Sequence, residues 1–426
     1  MGEYENVWAN LQSGDTLSLY YNEYGVLQLM AVLPKTTAGA AHSFVYGLAT
    51  SRRIPAEYTI IKNGAKIDAS KLKKYDVVTL DAANRQAIVS DTKLSGKYQT
   101  DSTTYSHPSQ VKILEQKFSV SSEAAATFKD MKLNDYITLL FDADGNVAAA
   151  YPKKDVSAEM QGIVTKIDGK KATVTLTNGL TLRDIPIAKD VKTDVMGRLV
   201  TVSQSGEGAD LIRRTLSGKR PPGNWSVAEG KLGSNAVSSK VRVYEEVLSG
   251  APLNAINVSD IDLTSVPASQ IKYTVQDNAG TVTNIVLGDV TGESWIYGIG
   301  YGKRDKTDEE NGNSPEYVVL RHWDGAKQEE STFRVLTLPR GLGGVPIAVP
   351  RGYSTDESIV NTSLDTLKLT LIDTVKSSAF DGSSGVRTKD GYYELAENIG
   401  VYISEQNRFI SLQTAKSNYT SFRVYA

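Results

Sequence analysis

The chain has 426 residues with 47 basic and 49 acidic side chains, so its formal net charge of −2 gives no indication of a nucleic-acid or other polyanionic partner. It contains no cysteine, which excludes disulfides, thiolate metal sites, iron–sulfur clusters and thiol nucleophiles. A chain of this length is expected to form two to four domains. No stretch approaches the roughly twenty apolar residues that a membrane-spanning helix needs, so no membrane span is predicted.

One short pattern, a Ser or Thr with a large apolar residue on each side, recurs about every sixty residues along the chain. Alternation with period two is typical of a strand with one face in a core and the other in water. A period of this size predicts an array of small supersecondary units. We interpret the central residues as solvent-facing, with no catalytic role. They are Ser18, Thr79, Thr138, Thr201, Thr274 and Thr337.

Odd-numbered units resemble odd-numbered units, and even-numbered units resemble even-numbered ones. Units one and three match without a gap from Asp15 and Asp135 onward, at a constant offset of 135 minus 15, or 120 residues. Units two and four share a Leu-Ser-Gly-Lys string, at 94–97 and 216–219, and unit five matches unit one at 295–299. The units therefore pair into three tandem modules. The predicted modules are residues 1–130, 131–257 and 258–426.

Turn signals between the alternating runs favour β-hairpins. Asn63-Gly64, Asn178-Gly179 and the segment 142–145 place residues that tolerate positive φ between apolar strands. Helical signal is confined to 121–132, which predicts a short helix with a Ser cap. The predicted fold class is all-β, with tandem small β-barrel or β-sandwich units of about sixty residues arranged as three two-unit modules.

Three segments do not follow the repeated strand pattern. Residues 303–315 form a charged insertion, and residues 220–235 and 340–353 are rich in Gly and Pro. We predict that all three are loops. Because loops on a rigid scaffold carry most binding functions, any ligand site is expected in one of them.

Catalytic signatures are weak throughout the sequence. The three histidines, His42, His107 and His322, are isolated and lack metal-ligand spacing. Acidic residues are numerous enough to supply a carboxylate pair for glycoside hydrolysis, but no pair is marked out by its spacing. We therefore predict no catalytic residue, no cofactor and no metal site.

One acidic string resembles the start of a calcium-binding loop, but its spacing is wrong. An EF-hand loop needs Gly at its sixth position and Glu at its twelfth. Counted from Asp142, Gly145 is fourth and Lys153 is twelfth. The segment is therefore predicted to close a hairpin.

Three alternating glycines, Gly298, Gly300 and Gly302, raise the question of a phosphate-binding loop. A dinucleotide fingerprint requires a strand, a glycine turn and then a helix. Here a charged segment follows instead. We predict a strand whose glycine face is closely approached by its neighbours.

Aromatic residues are the remaining candidates for ligand binding. Trp225 and Trp323 lie in or near predicted loops and could stack on a sugar, although packing is the alternative for both. Trp295 aligns with Phe44 of the first unit and is expected in a core. Trp225 and Trp323 are the predicted ligand-stacking residues.

Three strings, at 75–81, 90–96 and 139–149, resemble the β-rich extracellular region of S-layer-homology surface proteins of Clostridia-type Gram-positive bacteria. In that family separate repeats bind cell-wall polymer while the β-rich part projects outward. The sequence shows no such anchoring repeat, signal peptide or hydrophobic tail, so for an exported protein we expect these elements to lie outside the 426 residues, and the alternative is a whole cytosolic protein. The resemblance implies an extracellular structural or adhesive protein.

The sequence as a whole favours a non-catalytic cell-surface protein that acts as an S-layer-like lattice component or a stalk. The alternative is an adhesin that binds carbohydrate through loop aromatics, and a polysaccharide-processing enzyme is a third possibility. Expected partners are cell-wall polymer, carbohydrate or other surface proteins, and self-association is compatible with either leading function.

Overall fold

The computed structural model describes residues 16–21, 27–33, 43–48, 51, 53–188, 195–206, 208–216, 221–304, 316–335, 337–353, 368–396 and 399–426. Strands dominate these residues, so the all-β prediction is confirmed. The strands up to residue 152 are β1 (Thr16–Tyr21), β2 (Leu27–Leu33), β3 (Ser43–Val45), β4 (Thr59–Lys62), β5 (Ala65–Lys66), β6 (Val77–Asp81), β7 (Gln86–Ser90), β8 (Lys93–Lys97), β9 (Gln110–Ile113), β10 (Gln116–Ser119), β11 (Tyr136–Phe141) and β12 (Val147–Pro152).

The middle of the chain continues with strands of very unequal length. They are β13 (Gln161–Asp168), β14 (Lys171–Leu176), β15 (Thr181–Pro186), β16 (Leu199–Ser205), β17 (Gly208–Arg213), β18 (Trp225–Ser226), β19 (Lys231–Leu232), β20 (Asn235–Glu245), β21 (Asn254–Ile256), β22 (Ser265–Val266), β23 (Ile271–Gln276) and β24 (Val282–Leu287). The last strands are β25 (Trp295–Arg304), β26 (Glu316–Trp323), β27 (Gln328–Val335), β28 (Gly343–Pro350), β29 (Leu371–Lys376), β30 (Phe380–Asp381), β31 (Gly385–Thr388), β32 (Gly391–Glu394), β33 (Gly400–Ile403), β34 (Arg408–Ser411) and β35 (Ser421–Tyr425).

The α-helices within the described residues are short. The predicted helix at 121–132 is present but reduced to Ser122–Ala125 and a following 3₁₀ turn, Ala126–Phe128. Its predicted Ser cap is confirmed, because the Ser121 hydroxyl accepts a hydrogen bond from the Ala124 backbone N–H at 3.2 Å. A second helix, Leu412–Asn418, was not predicted, since seven residues are too few to show a helical period.

The chain divides into two compact units. The first comprises Met1–Val191, Leu199–Val243 and Asn257–Val286, and the second comprises Lys192–Arg198, Tyr244–Ile256 and Leu287–Ala426. These boundaries follow spatial contacts and do not test the three sequence modules. The division into modules at 1–130, 131–257 and 258–426 therefore stays a prediction.

Three sheets of the first unit share one local arrangement. In each, a strand pairs antiparallel with the first strand of a following antiparallel hairpin: β3 with β6–β7, β8 with β11–β12, and β13 with β16–β17. Three predicted strand centres, Thr79, Thr138 and Thr201, lie in the strand between the other two in this arrangement, which we call the middle strand. A fourth hairpin, β23–β24, differs, because the preceding strand β20 neighbours the second strand of the hairpin.

The same turn precedes each of these middle strands. Its third residue has a left-handed backbone: φ is 71° at Tyr75, 72° at Asn134 and 66° at Gly197. In the first two turns the next residue, Asp76 or Asp135, accepts a hydrogen bond from the backbone N–H three residues earlier, at 2.9 and 2.8 Å. The turn therefore fixes where each middle strand begins.

The predicted solvent exposure of the strand centres is wrong for Thr79 and Thr138. Thr79 is 5% exposed and Thr138 is fully buried. Their hydroxyls form cross-strand hydrogen bonds with Ser43 at 2.8 Å and Ser95 at 2.7 Å. Other elements cover the second face of these strands, and a hydrogen-bonded hydroxyl can be accommodated there. Two other centres are half-buried, Thr201 and Thr274.

Thr138→Val tests the value of the buried hydroxyl. Thr138 also donates to the Val156 carbonyl oxygen at 2.6 Å, so the variant leaves that oxygen and Ser95 without this partner. We expect the free energy of unfolding to fall by about 1 to 2 kcal/mol, measured by urea denaturation. Thr201→Val, at the equivalent half-buried position, should change it by less than about 0.5 kcal/mol. Equal effects of the two variants would contradict a special role of the buried pair.

The sixth predicted strand is not formed at its predicted place. Thr337 lies in a bend after β27. The predicted loop 340–353 instead contains β28, and the predicted loop 220–235 contains the short strands β18 and β19. Glycine and proline indicate loops, but β28 is an edge strand, where proline is tolerated, and Pro221 and Pro222 precede β18 instead of lying within it. Ser18 lies in β1, and most of the charged insertion, 305–315, lies outside the described residues.

The second unit contains a four-stranded antiparallel sheet in the order β27-β26-β25-β28. The predicted glycine strand is confirmed as β25. A Cβ atom added to Gly300 would lie 2.9 Å from Ile347 Cγ1, and one added to Gly302 would lie 2.7 Å from Leu338 Cδ2. The glycines therefore let a core cluster pack directly on the β25 backbone. That cluster is Val318, Leu320, Phe333, Val335, Leu342, Ile347 and Val349.

Candidate functional site

Trp225, one of the two predicted stacking residues, lies in a core. It occupies β18, paired with Leu232 on one side and Val266 on the other, and it is 1% exposed. Its indole N–H has no hydrogen-bond partner among the described residues. A ring with no exposed face cannot stack on a soluble sugar, so packing explains Trp225. Trp295, expected in a core, is buried as well, with 8% exposure.

Trp323, the other predicted stacking residue, is half-buried at the end of β26. Its side chain lies against Gly400 of β33, where an added Cβ would be 2.9 Å from Trp323 Cδ1. The next strand, β34, is held near the same sheet by a hydrogen bond from the Phe409 N–H to Gln328 Oε1 at 2.8 Å. Glycine at position 400 therefore allows β33 to approach the indole closely.

Trp323 belongs to a larger polar and aromatic surface on the second unit. Residues of β25, β26 and β27 that alternate with the core residues lie on the opposite side of the sheet, and register places Tyr317 opposite both Lys303 and Arg334. We call this surface the outer face. Its members are Tyr301, Lys303, Tyr317, Arg321, Trp323, Glu330 and Arg334.

Arg321 is at the centre of the outer face. Its guanidinium carbon lies 4.8 Å from the centroid of the Tyr301 ring, and its Nε donates to Glu330 Oε2 at 3.0 Å. Hydrogen bonding to Glu330 raises the pKa of Arg321 further, so the side chain is a permanent cation. A second cation, Lys303, lies 5.5 Å from the Tyr317 ring centroid. Both contacts are within the range of cation–π attraction.

A hydroxyl cluster adjoins the outer face. Tyr301 Oη lies 2.7 Å from Tyr402 Oη, and both hydroxyls are hydrogen-bonded to Asn407 Oδ1. Burial, followed by the hydrogen bond with Tyr301, raises the pKa of Tyr402 to about 12. Tyr402 is therefore a neutral hydrogen-bonding group at physiological pH and cannot act as a base there. The surface can bind hydroxyl or anionic groups but shows no activated nucleophile.

The histidines occupy separate environments. His322 Nε2 lies 3.1 Å from the Ser331 hydroxyl, and burial lowers the pKa of the imidazole. His107 is exposed beside Ser106, and His42 lies outside the described residues. Among the residues that the structure describes, no cluster of three His, Asp or Glu side chains could hold a metal ion.

Asp142 closes a hairpin, as its spacing predicted. Its Oδ1 accepts hydrogen bonds from the backbone N–H groups of Asp144 and Asn146 at 3.0 and 2.8 Å, between β11 and β12. Asp277 does the same between β23 and β24, with Ala279 and Thr281 at 2.9 and 2.8 Å. Sequence reading missed this second turn, although both share Asp followed three residues later by Gly.

Asp142→Asn is expected to change the pH dependence of stability. Burial raises the pKa of Asp142, so the folded state resists ionisation that the unfolded chain undergoes at a pKa of about 3.9. The stability that the protonated Asp142 carboxyl contributes is therefore lost as pH rises from about 4 through its folded-state pKa. The variant keeps the acceptor oxygen and should lack this loss, measured as urea midpoints across that range. Asp144→Asn, in the exposed part of the same turn, should keep it, and equal behaviour of the two variants would contradict this prediction.

Comparison with known proteins gives no family assignment. The chain matches no protein-family model and no curated protein. No helix in the described part of the chain has both the length and the apolar composition needed to cross a bilayer.

Proposed function

We propose that this chain is a non-catalytic structural protein of a bacterial cell surface, a spacer built by repetition of small β units. The observation that carries the proposal is the local arrangement shared by three sheets, each with a strand, the same entry turn and a hairpin. Duplication of such a unit extends a chain without requiring a new core design, which suits a stalk or lattice component.

Two further features support an extracellular role. The strings at 75–81, 90–96 and 139–149 resemble the β-rich region of S-layer-homology surface proteins, and cysteine is absent. The paired sixty-residue modules at 1–130, 131–257 and 258–426 belong to this proposal, as does association with cell-wall polymer, with other surface proteins or with further copies of the chain.

Surface proteolysis of intact cells tests the location. Cells of the bacterium that encodes this chain would be treated briefly with trypsin, and the released peptides would be identified by mass spectrometry. Peptides of this chain should appear while those of a ribosomal protein do not. Recovery of its peptides only after cell lysis would overturn the proposal.

A second candidate function, carbohydrate binding, is favoured by the outer face. Trp323 is half-buried on this face, which also carries Arg321, Lys303 and the Tyr301 hydroxyl that is hydrogen-bonded with Tyr402. Sugars are commonly held by stacking on an aromatic ring together with hydrogen bonds from charged and hydroxyl groups. This candidate places the ligand on the sheet, away from the loops in which the sequence placed it.

A glycan array with the full chain tests the second candidate. Binding should weaken at least tenfold in Trp323→Ala and in Arg321→Ala. The matched control is Tyr392→Ala, which removes an exposed aromatic ring elsewhere in the second unit. Absence of any glycan signal, or an equal loss of binding in the control, would contradict carbohydrate binding by the outer face.

A further inference from the structure

A buried ion pair lies in the first unit. Lys62 ends β4 and Asp76 precedes β6, and both side chains have 0% exposure. Lys62 Nζ lies 2.8 Å from Asp76 Oδ2. Removing an ammonium and a carboxylate from water is costly, and an ion pair alone seldom repays that cost in stability. Stability alone therefore does not explain why this ion pair is buried.

The third member of the cluster is Asn278, which lies 216 residues after Lys62 in the chain. Lys62 Nζ contacts Asn278 Oδ1 at less than the usual hydrogen-bond distance. The Asn278 side-chain amide donates to Asp76 Oδ1 at 2.8 Å. One carboxylate therefore bridges an amine and a carboxamide, with a separate oxygen on each.

The turn that carries the Asn278 amide is tied to the segment that carries Lys62. Asn278 belongs to the β23–β24 turn that Asp277 organises, and Asp277 Oδ2 accepts a hydrogen bond from Asn63 Nδ2 at 2.9 Å. Asn63 directly follows Lys62, so the two reacting segments are tied together next to the reacting atoms. A second carboxylate, Asp91, lies 3.5 Å from Lys62 Nζ and is 16% exposed.

We propose that Lys62 and Asn278 form an intramolecular isopeptide bond, with Asp76 as the group that transfers protons. An amide C=O is about 1.23 Å long, so Asn278 Cγ can be at most about 1.2 Å farther from Nζ than the oxygen is, a limit close to the near-attack range of about 3 to 3.5 Å. Lysine amines serve as nucleophiles where a neighbouring base removes a proton.

The reaction balances without an oxidant or any added reagent. Asp76 Oδ2 takes a proton from the Lys62 ammonium, and Nζ then attacks Asn278 Cγ. The Nζ–Cγ bond forms, Asp76 passes the first proton to Nδ2, and the Cγ–Nδ2 bond breaks. The new amide nitrogen then gives up a second proton, again through Asp76, to the departing nitrogen. Of the three ammonium protons, one stays on the new amide and two leave with the nitrogen as ammonium. Asn278 is exposed, which gives the released ammonium a route to solvent.

Mass spectrometry of the full, folded chain tests the proposal without any variant. The intact mass should be lower than the sequence mass by about 17 Da, one ammonia. Trypsin cannot cleave at a modified lysine, so peptide 54–66 should be recovered joined to peptide 273–303. An unmodified mass together with separate peptides would overturn the proposal. A loss of about 18 Da, with Lys62 joined to Asp76 or Asp91, would overturn the assignment to Asn278.

Three variants separate the cross-link from folding. Asn278→Ala removes the electrophile but keeps the Lys62–Asp76 ion pair, so it should fold with an unchanged circular dichroism spectrum and show no mass loss. Asp76→Asn should also lack the cross-link. Lys66→Met, the matched control, removes an exposed lysine from the adjacent strand β5 and should keep the full mass loss. Retention of the mass loss in folded Asn278→Ala would contradict the proposal.

Discussion

Gly298→Ala should lower the free energy of unfolding of the second unit by about 3 kcal/mol. A Cβ atom at this position would collide with the backbone oxygen of Arg321 and lie 2.9 Å from Leu320 Cδ1. A backbone atom of a neighbouring strand cannot rotate away as a flexible side chain can. Relief would require separation of β25 and β26, which support the core of this unit.

The effect of Gly298→Ala can be measured as a shift in thermal midpoint. For a unit of this size we expect a decrease of about 6 to 12 °C, followed by intrinsic fluorescence, to which Trp295 and Trp323 contribute. Gly343→Ala is the matched control in the same sheet, because an added Cβ there meets nothing within 4 Å. If both variants melted within a degree of the parent, close packing on β25 would not explain its glycines.

Glu245→Ala should be more damaging, at about 4 kcal/mol. Glu245 is fully buried and accepts hydrogen bonds from the backbone N–H groups of Val290 and Thr291 at 2.9 and 2.7 Å. The Thr291 and Ser294 hydroxyls also donate to it, at 2.9 and 2.6 Å. Removal of the carboxylate leaves these four donors without this acceptor. The expected decrease in thermal midpoint is about 8 to 16 °C.

Two further variants show whether hydrogen bonding causes the loss at Glu245. Glu245→Gln retains one acceptor oxygen, and the Thr291 and Ser294 hydroxyls can reverse to accept from its amide, so it should recover about half of the lost stability. Glu293→Ala removes an exposed carboxylate from the same loop and should be neutral within about 0.5 kcal/mol. A Gln variant as unstable as the Ala variant would mean that charge, more than hydrogen bonding, holds this loop.

Local patterns predicted the features whose causes are local. The Asp142 hairpin and the glycine face of β25 both depend on residues a few positions apart, which a sequence displays directly. The alternating pattern predicts that Thr138 faces solvent, and the predicted loop 220–235 places Trp225 where it could stack on a ligand. Both are buried because other segments cover them, and no short pattern records that coverage.

The residues that matter for the proposed chemistry are distant in sequence. Lys62 and Asn278 are 216 positions apart, and Tyr301 and Tyr402 are 101 apart. No periodicity connects such residues, because their approach depends on how whole sheets assemble. Sequence reading could identify the aromatic residues as candidates, but it could not combine Tyr301 and Tyr402 with Arg321 on one surface.

The left-handed turns before the middle strands have a consequence for tracing the ancestry of the chain. Tyr75, Asn134 and Gly197 differ in size, polarity and chemistry, yet all three adopt nearly the same positive φ. What these positions share is a backbone angle, which glycine and asparagine adopt readily and tyrosine adopts under strain. Substitution tables score these residues as unrelated. A comparison of dihedral angles aligns the three turns where residue identity does not, so it is the appropriate way to compare these segments.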